Sequence, residues 1–145
     1  MNARTMLKYG LASMLYKAVS WKQKLPCRAV IKSFNKKFPK AKYTSWQRMA
    51  GTVWEAAFLW QDKEHTALFD ESGLWLETHT YMPLGNVPIA VRESFRNENT
   101  PEALVKVFQL KTPQGTYYEF QIYKGQDPLK MGYDAQGKRI ENSIL

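Results

Sequence analysis

Phe69-Asp70-Glu71-Ser72-Gly73-Leu74-Trp75-Leu76-Glu77 and Tyr133-Asp134-Ala135-Gln136-Gly137-Lys138-Arg139-Ile140-Glu141 decide the fold. In each stretch an aromatic residue and an Asp lead a tetrapeptide closed by Gly, and an apolar–Glu pair follows. An Asp in first position accepts hydrogen bonds from the turn, and a Gly in fourth position tolerates positive φ. Each tetrapeptide therefore predicts a tight reversal between antiparallel strands. The two stretches lie 64 residues apart.

The correspondence extends upstream. At the same offset of 64, Gly51-Thr52 matches Gly115-Thr116 and Trp54-Glu55 matches Tyr118-Glu119. At an offset of 62, Pro26 matches Pro88, Pro39 matches Pro101, Ala41 matches Ala103, and Trp46-Gln47 matches Phe108-Gln109. Each half reads as a helix opened by proline, whose missing N–H is no loss in the first turn. Val30, Ile31, Phe34 and Phe38 form its apolar side in the first half, and Ile89, Val91 and Phe95 in the second. Strands are expected over 42–48 and 104–110, then over 53–60 and 117–123, with turns at Ala50-Gly51 and Pro113-Gln114-Gly115. A third strand ends in Phe69-Asp70 or Tyr133-Asp134, and a last one covers 74–80 or 138–144. The expected fold class is α+β: a tandem repeat of a helix packed on an antiparallel β-meander, preceded by an N-terminal amphipathic helix. The expected domains are an extension over 1–24, a first repeat over 25–81, a linker over 82–86 and a second repeat over 87–145.

Charge is distributed unevenly. Residues 1–54 hold twelve Lys or Arg and no acidic residue, while the rest holds nine basic and thirteen acidic residues, giving the net +8. Such asymmetry marks contact with something anionic, or a solvated basic helix. No run of 18 apolar residues occurs, so no transmembrane helix is expected. Arg4 and Lys8 precede an apolar segment, 11–16, that contains Ser13 and stops at Lys17. That is short for a signal peptide. Leu7, Leu11, Met14, Leu15, Ala18 and Val19 instead keep helical spacing.

The pattern Leu25-Pro26, helix, Phe38-Pro39-x-Ala41, a strand bearing Trp46, Trp54-Glu55, Phe69-Asp70-x-x-Gly73 and Leu76-Glu77 resembles the PepSY-like domain, also called beta-lactamase-inhibitor-like. The resemblance covers residues 25–145 in two copies, with Thr100 standing where the first copy has Phe38. It implies a helix packed on an antiparallel sheet, repeated, in mostly exported bacterial proteins, and it brings no general enzymatic activity. It therefore implies a periplasmic or exported location, whereas the N-terminus does not read as a cleavable leader, which leaves a cytoplasmic one open.

No catalytic constellation accompanies these motifs. The lone cysteine, Cys27, has no sequence-adjacent base, and a small buried thiol is its expected state. Glu77 and His79 share a strand face, but two ligands do not make a metal site. The Asp-x-x-Gly turns each offer one carboxylate, too few for calcium. The expectation is no enzyme activity, no cofactor and no metal.

Binding is the remaining class. Alternation sets Trp54, Ala56, Phe58 and Trp60 on one side of a strand, and Glu55, Ala57 and Leu59 on the other. In the second half, Tyr118, Phe120 and Ile122 oppose Glu119, Gln121 and Tyr123. The apolar sides should face the helices and be buried. The mixed sides should form an outer face carrying Trp75, Glu77, His79, Tyr123, Arg139 and Glu141. Exposed Trp, Tyr and Arg among charges compose an interface hot spot. The expected function is recognition of a protein or peptide on that face. The alternative is an anionic surface bound by segment 1–54, with a membrane preferred to nucleic acid because no nucleic-acid motif is present.

Overall fold

The structure, a computed structural model, describes residues 25–49, 51–98, 104–125 and 127–140. The amphipathic helix expected over 1–24, and Glu141, lie outside the described residues. The elements are α1 (Arg28–Lys37), β1 (Lys42–Arg48), β2 (Val53–Trp60), β3 (Lys63–Asp70), β4 (Trp75–Met82), α2 (Ile89–Glu98), β5 (Leu104–Thr112), β6 (Gly115–Tyr123), β7 (Leu129–Asp134) and β8 (Arg139–Ile140). A short 3-10 turn, Leu84–Asn86, precedes α2.

The tandem-repeat reading of the fold is corrected here. The eight strands form a single sheet in chain order, β1 to β8, accompanied by two helices among the described residues, rather than two separate helix-plus-meander repeats. The β1–β2, β2–β3, β5–β6, β6–β7 and β7–β8 ladders are antiparallel. Recurrent local motifs fix turns and strand ends. They do not dictate whether a strand that ends one meander also pairs with the next.

Two compact units divide between His79 and Thr80. In the first, Pro26 precedes α1, and Lys36 and Lys37 in its last turn complement the negative end of the helix dipole. Val30 and Phe34 point inward, and Phe38 closes the helix with its N–H donating to the Phe34 carbonyl at 2.8 Å. These residues bury against Trp46, Trp54, Ala56, Phe58, Ala67 and Phe69. The Trp60 indole extends the contact by donating to the Pro39 carbonyl at 2.9 Å.

In the second unit, Val91 and Phe95 of α2 pack on Val105, Val107, Tyr118, Phe120, Ile122, Met131 and Tyr133. Ile89, expected to share this face, is exposed instead. Residues 89 and 91 are two apart, and i,i+2 positions do not share a helix face.

The turns behave as their sequences predict. Asp70 Oδ1 accepts from the Ser72 N–H (2.9 Å), the Ser72 hydroxyl (2.6 Å) and the Leu74 N–H (3.0 Å). The Ser72 hydroxyl, chiefly, and the turn amides hold its carboxyl below the usual range. Asp134 Oδ1 accepts from the Gln136 and Lys138 N–H groups, both at 2.9 Å. Gly73 and Gly137 have φ of +92° and +88°. Each presses on a helix: a Cβ there would lie 2.7 Å from the Ala29 carbonyl oxygen or 2.6 Å from that of Ala90.

One end of the sheet is irregular. Lys42 pairs with Leu59, but Ser45 pairs with Ala57, so β1 carries one residue more than β2 over this stretch. Tyr43, inside that bulge, has φ +54°.

Tyr133 links β7 to α2. Its hydroxyl donates to Glu98 Oε2 at 3.1 Å, and Arg139 Nη1 donates to the same oxygen at 2.6 Å. Burial first, and the Glu98 carboxylate second, push the phenol up from 10.0 to about 12. The folded protein thus keeps this proton to higher pH than the unfolded chain. The associated stability is complete below the ordinary phenol value and is lost as pH rises through the folded one. Alkaline denaturation should steepen over the interval from 10.0 to about 12. Tyr133→Phe should flatten that interval, which urea midpoints measured across the pH series would show.

Candidate functional site: the polar face of the sheet

In each unit the polar candidates lie on the sheet face turned away from that unit's helix; Trp75 and Arg139 do not, the one packing on the α1 cluster and the other bonding to Glu98 of α2. In the second unit, alternation sets Lys106 and Phe108 opposite the core-facing Val105 and Val107, and Glu119, Gln121 and Tyr123 opposite Tyr118, Phe120 and Ile122. The register brings them into rows: Lys106, Gln121 and Lys130 are successive cross-strand partners, as are Phe108, Glu119 and Gly132.

A hydrogen-bonded row follows β6. The Tyr123 hydroxyl donates to Gln121 Oε1 at 2.9 Å, and Gln121 Nε2 donates to Glu119 Oε1 at 2.7 Å. Lys130 Nζ is 3.8 Å from the same Glu119 oxygen. Lys106 Nζ stands 5.9 Å from the Tyr123 ring centre. Glu119 is only 2% exposed, and its Oε2 is buried without a hydrogen bond among the described residues. Leaving such an oxygen unbonded costs about 1–3 kcal/mol. Beside this row the Tyr81 ring meets the Phe108 ring edge-on, with centroids 6.1 Å apart, while Tyr81 is 54% exposed.

In the first unit the same logic buries Glu55 and Thr66 on the face opposite α1. Glu77 and His79 are buried as well, and the His79 Nε2–H donates to Glu77 Oε1 at 2.7 Å. They meet as a pair. Among the described residues no group of three or more His, Cys, Asp or Glu side chains could hold a metal ion.

The structure places the remaining expected residues as follows. Trp75 is half-buried against the α1 cluster. Its indole N–H donates to Thr78 Oγ1 at 2.9 Å, and Lys37 Nζ lies 3.6 Å above its ring. Tyr123 is half-buried on the polar face. Arg139 is exposed but is engaged with Glu98 of α2. The expectation that Trp75 and Tyr123 would stand well out in solvent is corrected: each ring has a neighbour that covers part of it. Trp54, Phe58, Tyr118 and Phe120 are buried as alternation requires. Cys27, expected to be buried, is exposed, with its thiol donating to the Glu71 carbonyl at 3.3 Å. It occupies the N-cap of α1, outside the buried stripe.

Sequence reasoning missed Tyr81, Phe108, Lys106 and Lys130. Tyr81 continues the two-residue period of Glu77 and His79, one residue beyond the expected strand end at 80. The strand runs to Met82.

In each unit a helix packs on one face of antiparallel strands and polar side chains line the other, which defines the class of domain. The family model described as beta-lactamase-inhibitor-like, PepSY-like matches residues 54–141, and the chain belongs to that family. Among solved structures it is similar to a BLIP-like protein from Bacteroides fragilis, with 22% identity and a TM-score of 0.72, covering 82% of this chain and 86% of that one. DUF2874 family proteins resemble it comparably. For that from Bacteroides uniformis the identity is 19% and the TM-score 0.74, with 81% and 88% covered. For that from Bacteroides ovatus they are 22% and 0.71, with 82% and 87% covered. No curated protein matches the chain.

Proposed function

We propose that this chain is a non-catalytic protein-binding domain, and that the partner docks on the polar sheet face of the second unit around Tyr81, Phe108, Tyr123 and Lys130. The carrying observation is the exposed Tyr81 ring, braced by Phe108, next to the hydrogen-bonded row of Tyr123, Gln121 and Glu119. A large ring held in place beside buried, ordered polar groups loses little freedom on binding, which is why aromatic anchors dominate interfaces. The unbonded Glu119 Oε2 would accept from a donor that the partner brings once the side chains around it shift. The family's description supports a protein as partner, and makes a beta-lactamase the first probe.

Binding should be measured by surface plasmon resonance against immobilised beta-lactamase and against proteins captured from the native extract. Tyr81→Ala should weaken a genuine complex by about thirtyfold, the usual effect of losing one hot-spot residue. Its circular dichroism should match the parent. Undiminished binding by both Tyr81→Ala and Lys130→Glu would dismiss this face as the interface.

A further inference from the structure

A second surface has a different chemistry. On the exposed side of α1, Arg28, Lys32 and Lys36 recur every fourth residue, and exposed Lys37, Lys40 and Lys42 follow. Residues at i and i+4 are neighbours on a helix, so Arg28–Lys32 and Lys32–Lys36 are like-charged pairs that disfavour the free helix. Among the described residues no acidic side chain pairs with Arg28, Lys32, Lys36 or Lys40. The acid that does serve this region, Glu71, bonds to Arg48 at 2.6 Å. The helix dipole favours Lys36 but not Arg28 in the first turn, and the like-charged i,i+4 neighbours repel, so an anionic partner would relieve a cost that the helix carries.

We propose that the α1 stripe docks on an anionic lipid bilayer. Two observations favour lipid over a nucleic acid. Leu25 and Tyr43, just before and just after the stripe in the chain, are 71% and 54% exposed; a Tyr settles at headgroup level and a Leu enters the acyl boundary. The sequence upstream continues the charge: residues 1–24 contain five basic and no acidic residues, with Leu7, Leu11, Met14 and Leu15 at helical spacing. Basic residues combined with an apolar periodicity suit a bilayer interface. A phosphate backbone would use the charge alone. The surface is distinct from the polar sheet face, so the membrane and the protein partner can be tested separately.

The test is co-sedimentation of the full chain with vesicles of equal parts phosphatidylglycerol and phosphatidylcholine, against vesicles of phosphatidylcholine alone. The parent should bind the anionic vesicles and not the neutral ones. Lys32→Glu combined with Lys36→Glu should lower that affinity tenfold or more, since each basic residue at an anionic surface contributes a factor of about five. A control with the same change in net charge, Lys111→Glu combined with Lys124→Glu in the second unit, should stay near the parent. Should the glutamates unfold α1, Lys32→Gln with Lys36→Gln replaces them, with a smaller loss expected. Equal losses in stripe and control variants would overturn the assignment. So would failure of the parent to bind anionic vesicles, or tighter binding to a DNA duplex than to the vesicles.

Discussion

Phe34→Ala should cost the protein about 3–5 kcal/mol of stability, the range for removing a buried aromatic ring without refilling its space. Phe34 is 3% exposed and is surrounded by rings: Phe58 at 4.9 Å, Trp46 at 5.1 Å, Phe38 at 5.6 Å and Phe69 at 6.2 Å between centroids. Those neighbours come from the helix C-cap and three strands, so no single element can move in to close the cavity. The edge-to-face geometry with Phe58 and Trp46 adds roughly 0.5–1.5 kcal/mol per pair beyond area burial. Urea unfolding followed by tryptophan fluorescence would read the change directly, since Trp46 and Trp54 share this cluster. A loss below about 1 kcal/mol would mean that the neighbouring rings collapse into the vacated space.

Gly137→Ala and Gly73→Ala should each cost about 2–4 kcal/mol, from two separable sources. Positive φ penalises any side chain by roughly 1–2 kcal/mol. The new Cβ would also fall 2.6 Å from the Ala90 carbonyl oxygen and 2.7 Å from Ser94 Oγ, or 2.7 Å from the Ala29 oxygen and 2.9 Å from Ser33 Oγ. A serine hydroxyl can rotate away. A helix carbonyl cannot, and the turn must lift off the helix, at a further ~1–3 kcal/mol of overpacking. Gly51 separates the two terms, because it has φ +81° but nothing within 4 Å of its would-be Cβ. Gly51→Ala should therefore cost only the backbone part. Equal midpoint shifts at Gly51 and Gly137 would show that the close approach carries no penalty.

Much of the fold was legible because its signals are local. The boundaries of β1 and β2, the Asp-led turns, the positive φ at Gly73 and Gly137 and the burial of Trp54, Phe58, Tyr118 and Phe120 all follow from turn chemistry and two-residue alternation. The sheet order was not legible, because pairing between strands that are joined by a helix leaves no local mark. The polar face was misjudged for a related reason. Alternation tells which residues share a face, but not how far they cover one another. Glu119 and Gln121 bury themselves in a hydrogen-bonded row, and Glu77 and His79 in a pair. Tyr123 was foreseen as part of the surface. Tyr81 was not, because a strand bounded at Thr80 leaves it outside, whereas β4 runs to Met82.

The bulge at Tyr43 bears on how molecules of this protein behave toward each other. β1 lies at an end of the sheet order, so among the described residues one row of its peptide groups faces no further strand. A straight outer strand of that kind is a template, and copies can polymerise through it. Here the extra residue and the left-handed backbone at Tyr43 twist the strand out of line, and the exposed Lys42 sets a positive charge beside the break. A second chain attempting to add alongside would lose its hydrogen-bond register within a few residues and would bring Lys42 against its own copy. The irregularity that spoils the ladder thus works against strand-to-strand addition at this edge.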